Sequence, residues 1–213
     1  NMFSLKGKDM EKVVNQIAGA ANASSIDVGQ FKLSLSAVGA VASAVGFSFE
    51  DTAQAIAIMG AAGIKGSDAG TSLKTMMMGL QPQTDKQKTL FKELGLTMAD
   101  GSNAFFDATG KIKDMASVAQ IMQNATKNMT KQQQLATYET IFGTDAIRAA
   151  VVISKAGATG FRDMAKAMGS VTAAQVAEKR LDNLSGSIEK LKGSLSTAAI
   201  TIGLGFTPGI RRL

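Results

Sequence analysis

Four short stretches of the chain carry residue types that do chemistry in other proteins. Gly63–Leu73, GIKGSDAGTSL, gathers three glycines, a lysine and hydroxyl residues between two apolar, helix-like segments. That inventory suits an anion-binding loop, in which backbone N–H groups cradle phosphate and Lys supplies charge. The order of residues is wrong for it. A phosphate loop opens its helix with Gly-Lys-Ser/Thr after a strand, whereas Lys65 here precedes Gly66 and no strand leads in. Gly110-Lys111 is followed by Ile112, which removes the hydroxyl, and no GxGxxG occurs. Ser187-Ile-Glu-Lys190 matches the SxxK of serine acyl-transferases, but neither SDN nor KTG accompanies it. Glu50-Asp51 are adjacent acids, better suited to the first turn of a helix than to glycosidase work across a bond. The alternative reading of Gly63–Leu73 is a packed helix corner: Gly63 as a left-handed stop, Ser67 as N-cap, Gly70 permitting close helix approach.

Composition narrows the classes further. The 213 residues contain no cysteine and no histidine, which removes disulfides, thiolate nucleophiles, the usual zinc sites and histidine-based triads. The chain reads as non-enzymatic, with no catalytic, cofactor-binding or metal residues to name. Its net charge of +6 comes from scattered Lys and Arg, a solvated surface rather than a nucleic-acid footprint, so no sequence-specific nucleic acid is expected. Asn22, Asn124, Asn128 and Asn183 open NxS/T triplets that fall on expected helices. The opening NMFSLKGKDMEK lacks the apolar core of a secretory signal, and a start at Asn1 fits a processed chain or a fragment.

The elements that must position these residues are helices. Ala and Met are abundant and only two prolines interrupt the chain, which favours an all-α fold. Apolar periodicity predicts helices at about 8–23, from Asp27 to Gly46, from Ser48 to about Ala62, from Ser67 to Pro82, and at 84–94. The second places Phe31, Leu35, Val38, Ala42 and Val45 on one face; the fourth places Ala69, Leu73, Met76, Met77 and Leu80 together. The turn-rich stretch 96–112 reads as a small β-hairpin or an irregular elbow. Helices resume at about 114–127, 131–142, 144–155 and 160–168, jointed at Thr130, Gly143-Thr144 and Gly157. The expected organisation is a helical bundle at 1–95, the elbow at 96–112, a second group of short helices at 113–170, and a long helix at 171–206.

That last helix has coiled-coil character. Ala174, Ala177, Leu181, Leu184, Ile188, Leu191, Leu195, Ala198 and Ile202 alternate steps of three and four, a seam of about 43 Å at 1.5 Å per residue. Two readings stay open: a self-association seam, or an amphipathic helix packed on its own domain. Small flanking residues suit a bundle of more than two helices, such as a trimer, as well as a dimer.

The ordered pieces ANASSID (21–27), AVGAVASAVGFSFEDTAQAIAIMGAAGIKGSDAGTSLKTMMMGL (37–80), KELGL (92–96) and TIFGTDAIRA (140–149) resemble the N-terminal core region of phage tail tape-measure proteins. GIKGSDAGTSL and FGTDA are the most specific. The resemblance implies a structural protein of the virion, made in the host cytoplasm and lodged in the tail-tube lumen. It implies length determination during tail assembly and a part in DNA delivery. Implied partners are further copies of itself, tail-tube and tail-tip or baseplate proteins, assembly chaperones and the host membrane. An alternative from another class is a membrane-active helical protein inserting through Leu35–Phe49 and Leu195–Phe206.

Overall fold

The computed structural model describes residues 3–179, 181–183 and 185–189. After a 3-10 turn at Gly7–Asp9 come α1 (Met10–Ala23), α2 (Val28–Val45), α3 (Phe49–Ala61), α4 (Gly66–Met78) and α5 (Asp85–Glu93). Then follow α6 (Met115–Thr126), α7 (Lys131–Phe142), a 3-10 turn at Thr144–Ala146, and α8 (Ile147–Met168). The protein is all-α, and no strand forms among the described residues.

Sequence signals at the helix ends explain most of these boundaries. Asp27 with Gln30, Ser48 with Asp51, Thr84 with Gln87 and Thr130 with Gln133 each form a reciprocal capping box. Each box satisfies two backbone N–H groups that the helix itself leaves unpaired. At the far end of α3 the Ile64 N–H reaches the Met59 carbonyl and the Gly63 N–H reaches Gly60, both at 3.0 Å. That pair of bonds is a Schellman stop.

Residues up to Ala173 make one compact unit and those from Ala174 a second. The centre of the first unit is α3, whose Ala53, Ala55, Ile56, Ala57 and Met59 are fully buried. A helix apolar on all sides has to be wrapped, and α1, α2, α4, α6 and α8 do so. The face predicted for α4 is buried throughout, and Met76 and Met77 point inward while Met78 is 58% exposed. The expected groups 1–95 and 113–170 share this core, with α8 packed on α1, α3, α4 and α6.

The stretch 96–112 is an elbow rather than a paired hairpin. Only the single bridges Thr97 to Asn103 and Phe106 to Ile112 form, each spanning one tight turn. Asn103 Nδ2 donates to the Leu80 carbonyl at 2.8 Å, and buried Phe105 meets Phe91 edge-on at 6.0 Å. In the second unit the backbone is helical at 174–179, 181–183 and 185–189.

Candidate assembly site where two helix corners meet

The Gly63–Leu73 corner takes its shape from what packs beneath it. Gly63 has φ +86° and open space around it. The N-cap expected at Ser67 is displaced: α4 begins at Gly66, with Lys65 in the cap position and no side-chain acceptor on the free N–H groups. Gly66, at φ +61°, instead offers its carbonyl to the buried Ser34 Oγ at 2.7 Å. A tertiary hydrogen bond from α2 therefore fixes the entry to α4, and exposed Ser67 is left at the surface.

One turn on, Gly70 lies against α2 so closely that a Cβ would overlap the Ser34 carbonyl and sit 2.7 Å from Ala37 Cβ. The two backbones touch, and α2 and α4 form the most extensive helix pair of the domain.

The FGTDA corner closes on the other side of α4. Gly143 turns the chain at φ +81°, Thr144 opens the short 3-10 turn, and Ala146 is buried. The Ala149 N–H donates to buried Ser72 Oγ at 3.1 Å, and Arg148 Nη1 meets Asp68 Oδ2 at 3.0 Å on the surface. Gly79 leaves room for the Phe142 ring, 2.6 Å from where a Cβ would lie. Gln87 Nε2 adds a bond to the Ile141 carbonyl at 2.9 Å. Two motifs some 70 residues apart in the chain are thus one contact surface.

That geometry decides between the readings of the first motif. Ser67 and Thr71 are exposed while Ser72 is buried, and Ser34 and Ser72 spend their hydroxyls on backbone groups. Elsewhere, Ser187 Oγ donates to the Asn183 carbonyl at 2.8 Å, and Lys190 lies outside the described residues. Glu50 pairs with Lys12 at 2.7 Å. Asp51 caps α3 and also accepts the Met115 N–H at the start of α6, at 3.0 Å. In the elbow, Asp100 and Asp107 are held below the ordinary carboxylate value, Asp100 mainly by the Ser102 hydroxyl and Asp107 mainly by the Thr109 hydroxyl. Their role is to close turns, since each accepts the N–H two residues on.

The chain matches the family model of the phage-related minor tail protein over residues 1–143. It belongs to that family. It is also 26% identical over 213 residues to the tape measure protein of Pneumococcus phage Dp-1, covering 99% of this chain and 18% of that protein. To the probable tape measure protein of Escherichia phage P2 it is 28% identical over 197 residues, covering 90% of this chain and 23% of the relative. The resemblance drawn from the motifs therefore holds, and the chain spans about a fifth of the relatives it matches. No solved structure matches it. The family model stops at residue 143, two residues into the FGTDA corner, although α8 beyond it supplies Ala149, Ala150, Ile153 and Phe161 to the same core.

Of the expected seam, Leu181 is 63% and Ile188 46% exposed, on the described part of the last helix. Leu184, Leu191, Leu195 and Ile202 lie outside the described residues. The apolar stretch Leu35–Phe49 is not one helix: α2 stops at Val45, and after Gly46 the chain restarts as α3. By length and composition α2 is the one helix among the described residues that is long and apolar enough to cross a membrane. It buries Phe31, Val38 and Ala42 in the core.

Sequence reasoning missed Ser34, Ser72, Gly79 and Gln87. The first two had a signal: each is a small polar residue on the buried face of an apolar helix, which implies a backbone partner nearby.

Proposed function

We propose that this chain is the compact, folded segment of a phage tail tape-measure protein, which sets tail-tube length during assembly and takes part in DNA delivery. The carrying observation is alignment of nearly the whole chain with proteins of that name, GIKGSDAGTSL and TIFGTDAIRA forming one packed contact. The ruler itself is the rest of the protein. A relative of which this chain is 18% is more than five times as long, and the rest of it as a continuous helix would span on the order of 1,500 Å. The seam at Leu181, Leu184, Ile188, Leu191, Leu195 and Ile202 would start that helical part and bring copies together, a trimer being one such bundle. Tail-tube and tail-tip proteins are the implied partners, with assembly chaperones and the host membrane met before and after.

Removing 70 residues from the helical part of the full-length protein should shorten tails by about 105 Å, at 1.5 Å per residue. Electron microscopy of the mutant virions reads this directly, and unchanged tails would overturn the ruler. Replacing Leu184, Ile188 and Leu191 by polar residues should abolish self-association of this chain. A mass unchanged by light scattering would remove the seam from the account.

A further inference from the structure

Helix α8 is interrupted in its middle. Gly157 sits at φ +57° and ψ −171°, off the helical path and in a region that suits only glycine. In a continuous helix the Lys155 carbonyl would accept from residue 159 and the Ala158 N–H would donate to residue 154. Here both turn to α6 instead. The Ala158 N–H donates to Gln120 Oε1 at 3.2 Å, and Gln123 Nε2 donates to the Lys155 carbonyl at 3.3 Å. The two glutamines are themselves set in place, for Gln120 Nε2 donates to Gln123 Oε1 and to Asn124 Oδ1, each at 3.0 Å.

The halves of α8 on either side of the break have separate attachments. Before it, Ala149 is tied to Ser72, and Ala149, Ala150 and Ile153 are fully buried. After it, the Met168 carbonyl presses so closely on Gly19 of α1 that no side chain would fit there. Gly160 contributes room as well, since a Cβ there would lie 2.9 Å from Ala156 Cβ. The bent form gives up part of the helical ladder and gains the amide bonds. The straight form regains the ladder but carries two glycines, the poorest helix formers after proline. Opposed terms are what a two-state element requires, and the burial of Phe161 and Met168 adds to the bent side.

We propose that Gly157 is a hinge and that the Gln120–Gln123–Asn124 cluster is its latch. With the latch engaged, α8 is bent and 158–168 lies on α1. With it released, the helix closes through residue 157 and 158–168 leaves α1 as one arm. This does not depend on the ruler function.

The chain has no cysteine, so Arg148→Cys with Lys166→Cys gives two exposed spin-label sites on the 213-residue protein without background. A continuous helix sets them about 27 Å apart at 1.5 Å per residue, and the bent one sets them closer. The expected result is a single short distance in the labelled parent. A second population near the straight value should appear on adding Gln120→Ala and Gln123→Ala. Hydrogen exchange in the double variant should quicken on the order of tenfold at 158–168 while 147–156 keeps its protection. Gly157→Ala, which favours helix at the break, should shift the distance the same way. One short distance in every variant would overturn the hinge. So would exchange that quickens equally on both sides of residue 157, because that is loosening of the whole domain.

Discussion

Gly63 and Gly70 lie seven residues apart in one motif, and the structure asks opposite things of them. Gly63 has φ +86° with nothing within 4 Å of the position a Cβ would take; Gly70 is an ordinary helical residue whose missing Cβ is replaced by the Ser34 backbone of α2. The first is glycine because of its own dihedral angles, the second because of a neighbour 36 positions earlier in the chain. One requirement is conformational and local. The other is spatial and exists only once α2 and α4 have crossed.

The clearest test of that difference places the same two side chains, Ala and Asn, at both sites. Gly70→Ala should destabilise the domain by about 3 kcal/mol, because a backbone carbonyl cannot move aside as a side chain can. Gly70→Asn should be worse, and urea unfolding of the full chain reads both. Next in size is Ser72→Ala. It leaves the buried Ala149 N–H without its acceptor and should cost about 2 kcal/mol by the same measurement. Gly63→Ala should cost about 1 kcal/mol, since only the left-handed conformation resists it, and Gly63→Asn should recover most of that. The order of Ala and Asn is thus expected to reverse between the two positions. The same order at both would mean that one of the two explanations is wrong.

The smallest effect concerns the elbow, where the carboxylates of Asp100 and Asp107 close exposed turns. Their folded values lie below the ordinary 3.8. Stability from such groups is present above the unfolded value and is lost as pH falls through the lower folded one. Amide exchange at Ser102, Thr109 and Lys111, compared at pH 5 and in the acid range below 3.8, should show protection falling only at the acid end. Asp107→Asn should flatten the change at Thr109 and Lys111.

Much of the fold was legible beforehand because its signals are local. Asp27, Ser48, Thr84 and Thr130 announce helix starts by short side chains with a Gln or Asp three residues on. The inward set of α4, Ala69 to Leu80, follows from helical period alone. Ser67 fails for an instructive reason. Its sequence context is right for an N-cap, yet Ser34 reaches the Gly66 carbonyl from another helix and the cap falls two residues earlier, at Lys65. The elbow was readable as turns and not as strands, since Asp-x-Ser and Asp-x-Thr fix a turn without fixing a partner. Asp51 shows the same limit: its charge at the start of α3 was evident, its bond to Met115 at the start of α6 was not.

The sequence by itself determined that the chain is helical, where most helices begin and end, which faces are apolar, and which family it resembles. These rest on period, capping and order, all of which act within a few residues. Only the tertiary structure decided that GIKGSDAGTSL and TIFGTDAIRA are one contact, that Gly70 and Gly79 are glycine for lack of space, and that the joint read at Gly157 is held by the glutamines of α6. Those depend on which helices cross and how closely. Crossing is set by the summed burial of many side chains around α3, and no short stretch of sequence contains that sum.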